Sequence, residues 1–165
     1  MKAKAIDKKT LVALIIKQLK QELLQAINAA NEAHASAVDD QSVAETQYDT
    51  LAIEASYLAE GQSRRVQVLQ EALLGYQRLT LVDFDENKPI ALSALVQLGA
   101  DSKKQHWFFI GPAAGGFRYQ LNEQHITVIT PNSPMGLVLM GEYNGEDIEV
   151  MLGDDKLTDT IASVY

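Results

Sequence analysis

Four carboxylates fall within eleven positions of the stretch "SAVDDQSVAETQYD" at 36–49: Asp39, Asp40, Glu45 and Asp49. Two carboxylates presented on a tight turn can ligate a hard divalent cation such as magnesium, above all where a partner supplies further oxygens. They can equally orient a water for attack on a phosphate. A plainer role is written in the same residues. Ser42 and Glu45 form an S-x-x-E capping box, in which Glu45 reaches back to the Ser42 amide at the start of a helix. Acids in a first turn suit the helix dipole, whereas Asp39 and Asp40, near the end of a preceding helix, oppose it. Charge runs are usually solvated faces, so charge and spacing alone leave both readings open.

Other chemistry is narrowly bounded. With no cysteine, disulfides, thiolate metal sites and cysteine nucleophiles are excluded. There is no G-x-S-x-G, and "GPAAGG" (Gly111, Gly115, Gly116) lacks the Lys-Ser/Thr ending of a phosphate loop, so it reads as a connecting turn. His34 has no companions at metal-ligand spacing, and His106 and His125 in strand-like segments read as structural or exposed rather than catalytic. Trp107, Phe108 and Phe109 read as core. The adjacent Arg64 and Arg65 are either a solvated or salt-bridged face or a docking spot for a partner.

Two kinds of element must position these residues. The series Val12, Ile16, Leu19, Leu23, Ala26, Ala30, Ala33, Ala37 alternates spacings of four and three, the seam of a packed helix. After the acidic stretch, Ala52, Ala55, Ala59, Gln62, Val66, Leu69, Leu73, Tyr76 repeats the rule with one polar member. Read backwards, the second seam matches the first in size, with bulky residues near Leu19 and Leu69 and alanines near Ala30 and Ala55. Folding at about residue 43 pairs them as an antiparallel coiled-coil hairpin, a finger roughly 39 Å long with an alanine-lined far end and an acidic tip.

Near residue 80 the period changes. "ALVQL", "HWFFI", "FRYQL", "ITVIT", "DIEVML" and "TIASVY" read as strands of a small antiparallel β domain, punctuated by Pro89, "DENK", "GPAAGG" and "TPNSP". One short helix is expected where Ser133 is a good N-cap, Pro134 suits the first helical position, and Gly141 stops it. The fold class is α+β, with domains at 1–79 and 80–165.

The chain of 165 residues is 47% hydrophobic, enough for a core, and carries a net charge of −8. Residues 1–79 hold 9 Lys+Arg against 10 Asp+Glu, and residues 80–165 hold 5 against 12. So acidic a second half repels a phosphate backbone, and independent DNA or RNA binding is not expected. The run "LVALII" is too short for a signal peptide and is followed by lysines, and nothing reaches the length of a membrane span, so a cytoplasmic protein is expected.

The hairpin with its acidic tip, "YDTLAIEASYLAEGQSRRV" at 48–66 and "VITPNSPMGLVLMGEYNGEDIEV" at 128–150 together resemble the bacterial Gre family of transcription elongation factors over nearly the whole chain. The most specific part, S-P-x-G-x-x-L-x-G-x-x-x-G-x-x-I-x-V at 133–150, is similar to that family's FKBP-like C-terminal domain. The resemblance implies a factor without an active site of its own. Its C-terminal domain would dock on RNA polymerase, with Ser133 and Pro134 as candidate contacts beside Arg64 and Arg65 on the hairpin, while the coiled coil enters the secondary channel. It also implies that an Asp and a Glu at the tip help to hold a magnesium ion shared with the polymerase, whose own site then cleaves backtracked RNA. Asp40 and Glu45 are the candidates, with Asp39 as substitute. Tyr48 matches the family's tyrosine, with Glu45 three residues before it and Asp40 five before Glu45. Two other readings use the same elements: a channel-occupying regulator without cleavage, and an FKBP-like prolyl isomerase or chaperone with a coiled-coil arm. An intramolecular hairpin predicts a monomer.

Overall fold

The structure, a computed structural model, describes the backbone of residues 6–41 and 46–165, and within these the side chains other than those of 36–41, 46–52, 55 and 56. Two long helices, α1 (Lys8–Gln41) and α2 (Thr46–Arg78), precede six strands and a short helix: β1 (Leu95–Leu98), β2 (His106–Ile110), β3 (Arg118–Leu121), β4 (Gln124–Ile129), α3 (Pro134–Leu139), β5 (Asp147–Leu152) and β6 (Asp155–Val164). The fold is α+β, as the change of period near residue 80 implies. No helix among the described residues is long and apolar enough to cross a membrane.

The chain divides into two units, Ile16–Leu74 and Met1–Ile15 with Gly75–Tyr165. Helix α2 ends one residue short of the 79/80 boundary, and packing places the first turns of α1 and the last turn of α2 in the sheet unit.

In the helical unit the buried stripe is made of Leu19, Ala26, Ala30 and Ala33 on α1 and Ala59, Leu69 and Ala72 on α2. Glu22 of α1 meets Arg65 of α2 at 2.9 Å, and these two residues stand almost equally far from the fold point near residue 43. In the sheet unit, Lys8 at the start of α1 donates to the Val82 carbonyl just beyond α2, at 2.7 Å. Both contacts require the helices to run antiparallel. Asp7 starts α1 as a cap: its carboxylate accepts from the Lys9 amide and the Thr10 hydroxyl, and its carbonyl accepts from the Leu11 amide. These bonds, the Thr10 one foremost, hold the Asp7 carboxyl below its usual range.

The first heptads of α1 depart from the expected seam. Leu11 and Ile15 are fully buried, whereas Val12 and Ile16 are only partly so. A straight helix drifts about 20° per heptad against a 3.5-residue repeat. In addition, residues up to Ile15 belong to the sheet unit, not to the helical one.

The strands form one sheet of order β3-β4-β2-β1-β6-β5. Four of its pairings are antiparallel, but β2 and β4 run parallel, which corrects the expectation of a wholly antiparallel β domain. The hairpin β3–β4 turns at Asn122, whose φ of 56° lies in the left-handed region that Asn tolerates. It then docks on β2 through its second strand, so residues 111–123 act as a crossover of the length that parallel pairing requires. Ile110, Ile129, Leu139, Ile148, Val150 and Ile161 belong to the core on the α3 side of the sheet.

Candidate functional site

Asp39 and Asp40 fall in the last turn of α1, but their side chains, and all of Glu45 and Ser42, lie outside the described residues. His34, further back on α1, is exposed.

Arg64 and Arg65 are both engaged within the helical unit. Arg64 pairs with Glu60 one turn earlier on α2, and Arg65 reaches across to Glu22 on α1. The latter pair clamps the two helices beside Gln62, where the second seam carries its polar residue. Both guanidinium groups keep more than half of their side-chain surface in solvent.

Ser133 and Pro134 build a corner. The Ser133 hydroxyl accepts the Gly136 amide at 3.0 Å and donates to the Thr130 carbonyl at 2.7 Å, while Pro134 occupies the first turn of α3, where no amide is needed. Gly136 admits no side chain, because a Cβ there would stand 1.9 Å from the Thr130 carbonyl oxygen. Gly141 and Gly145 have φ of 84° and 88°, which favour glycine. Beside them, Glu142 and Glu146 share a hydrogen bond that raises the Glu142 carboxyl and lowers that of Glu146. The spacing S-P-x-G…G…G is therefore a set of backbone requirements.

The segment "HWFF" alternates. Trp107 and Phe109 are buried, and the Trp107 indole donates to Gln124 at 2.7 Å. His106 is exposed and Phe108 half-buried on the opposite face. There the parallel register sets His106 beside His125, and His125 beside Gln120, in one row across three strands; Phe108, Thr127 and Arg118 form the next row. The His106 ring stacks on Phe108 at 5.0 Å, and its Nε2 lies 2.9 Å from the Thr127 hydroxyl. His106, His125, Gln120, Thr127 and Arg118, with Asp101, Lys103, Gln105, Tyr119 and Ile126, line a groove of about 540 Å³. The Asp101 carboxylate accepts the Gln105 and His106 amides at 2.8 Å each, and these bonds, that of His106 foremost, hold its carboxyl below the usual range. Sequence reasoning missed this constellation, since His106 and His125 are brought together only by a parallel pairing that no local signal announces.

Neither a protein-family model nor a curated protein matches the chain. Solved structures do align with it. That of the transcription factor Gfh1 is 16% identical, covers 91% of this chain and 92% of its own, and has a TM-score of 0.39. That of GreA factor homolog 1 (Gfh1) of Thermus thermophilus is 18% identical, with 91% and 94% covered and a TM-score of 0.36. Gfh1 of Thermus aquaticus is 18% identical, with 90% and 92% covered and a TM-score of 0.34.

Proposed function

We propose that this protein is a Gre-like transcription factor that binds RNA polymerase through its sheet unit and inserts its helical pair into the secondary channel. The observation that carries the reading is the antiparallel helical pair with an alanine seam at Ala26, Ala30, Ala33 and Ala59, joined to a sheet unit that carries the Ser133–Pro134 corner. Alanines let two helix axes approach more closely than leucines do. A slim pair enters a channel that a leucine-packed hairpin fits less easily.

Asp40 and Glu45, with Asp39 as substitute, would share a magnesium ion with the polymerase. That ion supplies charge neutralisation and an activated water to a cleavage site that belongs to the polymerase. Two or three exposed carboxylates are by themselves a weak magnesium site, which is why the partner must complete the coordination. An isomerase would need an open apolar pocket. Most residues that line the groove in the sheet unit are charged or polar, with Tyr119 and Ile126 among them, and Trp107 and Phe109 are buried. No observation favours that alternative.

The test is binding to purified RNA polymerase core, followed by release of RNA from stalled, backtracked complexes. The expected result is binding, with faster cleavage by the wild type and none of that acceleration from the triple variant Asp39→Ala, Asp40→Ala, Glu45→Ala. Equal cleavage by both proteins removes the tip mechanism and leaves a channel-occupying regulator. Failure to bind removes the polymerase reading altogether.

A further inference from the structure

The sheet unit is strongly acidic, yet its exposed cations are not spread evenly. Of the five Lys and Arg in residues 80–165, Lys103 and Arg118 line the groove, and both histidines of that half, His106 and His125, line it with them. Against these stands one acid of the twelve, Asp101, whose carboxylate is held by two backbone amides. Among the described residues, Lys103 and Arg118 take part in no ion pair. Lys103 and Arg118 thus form a local basic spot on an acidic unit, and such a spot draws anions.

We infer that this groove binds the phosphate end of a small phosphorylated molecule. The strand register supplies the geometry. His106, His125 and Gln120 stand in one row and Thr127 and Arg118 in the next, so imidazole, amide, hydroxyl and guanidinium groups converge on one face of β2, β4 and β3. A phosphate offers several acceptor oxygens in a tetrahedral array, and an Arg fork with flanking single donors is the arrangement that satisfies them. The groove's volume of about 540 Å³ lies in the range of small-molecule sites. The His106 ring, held by stacking on Phe108, is an aromatic floor in the groove on which a flat group attached to the phosphate can rest.

The full-length protein is titrated with inorganic pyrophosphate and, separately, with a nucleoside diphosphate, following the histidine ring protons by NMR. Saturable shifts of the His106 and His125 signals are expected, with His34, which belongs to the helical unit, unmoved as an internal control. Arg118→Glu weakens binding by about tenfold or more, because it replaces the bidentate donor by a like charge. Lys103→Glu, in a loop, does the same and serves if Arg118→Glu disturbs the β3 edge, with folding judged by Trp107 fluorescence. Tighter binding of the nucleoside diphosphate than of pyrophosphate assigns a role to the aromatic floor, and equal binding assigns the site to phosphate alone. Shifts of all three histidines, shifts that do not saturate, or unchanged binding by both charge-reversed variants overturn the proposal. So does displacement of pyrophosphate by a single-stranded RNA oligonucleotide at lower concentration, which would make the groove a nucleic-acid surface.

Discussion

Gly136→Ala is the substitution whose consequence the structure fixes most tightly. A Cβ at this position would lie 1.9 Å from the Thr130 carbonyl oxygen, 2.8 Å from its carbon and 2.9 Å from the Ser133 hydroxyl. Relaxed carbon–oxygen contacts begin at about 3.3 Å, so the Thr130 carbonyl must move about 1.4 Å away from Gly136. Neither of the closest atoms belongs to a flexible side chain. The same carbonyl accepts the Ser133 amide at 3.0 Å and the Ser133 hydroxyl at 2.7 Å, and that hydroxyl caps the Gly136 amide at 3.0 Å. A separation of this size breaks all three bonds, at about 1 kcal/mol each. It also draws the fully buried Leu139, on the same short helix, away from the core. The expected loss is about 3 to 4 kcal/mol, or a fall in Tm of about 6 to 15 °C for a chain of this size. Urea denaturation followed through Trp107, the single tryptophan and a buried residue of the sheet unit, measures it. Gly61→Ala, where nothing lies within 4 Å of the added carbon, is the control and loses no stability. A loss below about 1 kcal/mol for Gly136→Ala, inside the ordinary range of single substitutions, would show that the corner is not a rigid backbone clamp.

Two further outcomes follow from charge. Burial, partly opposed by the Asp83 carboxylate, lowers the Lys8 amine from 10.5 to about 8. Between these values the unfolded chain holds more protons than the folded one, so stability rises with pH from about 8 to 10.5 and the penalty remains below pH 8. At face value that difference is about 3 kcal/mol, but the amine is only half-buried and screening reduces it to about 1 kcal/mol. Denaturation at pH 7.5 and pH 10 should therefore show a rise in the wild type that is missing from Lys8→Met; identical pH profiles would refute the burial argument. For the clamp between helices, a double-mutant cycle on Glu22→Ala and Arg65→Ala is expected to give a coupling of about 0.2 to 1 kcal/mol that shrinks at high salt, since the Arg65 side chain is half-exposed. A salt-insensitive coupling above about 2 kcal/mol would contradict a solvated pair.

The hairpin was legible in the sequence because a heptad seam is a local property: Ala26, Ala30 and Ala33 bury one stripe whatever surrounds them. The same holds for Ser133 and Pro134, since a cap and a first-turn proline act within four residues of their own position. Legibility fails where a distant element decides. Leu11 and Ile15 took the places of Val12 and Ile16 in the buried stripe, and Leu11, Val12 and Ile15 belong to the sheet unit rather than the helical one. The groove was invisible for a stronger reason. Nothing near His106 or His125 specifies which strand lies alongside, and an antiparallel reading of the sheet would have set different residues opposite one another. Chain direction in β4 follows from the β3–β4 hairpin docking by its second strand, a choice made by the packing of the whole sheet. Sequence by itself thus determined the α+β class, the helical seams and the capped corner, through interactions that span a few residues. Only the tertiary structure decided the parallel pairing that sets two histidines, an arginine and a threonine on one face, because strand register is a non-local choice.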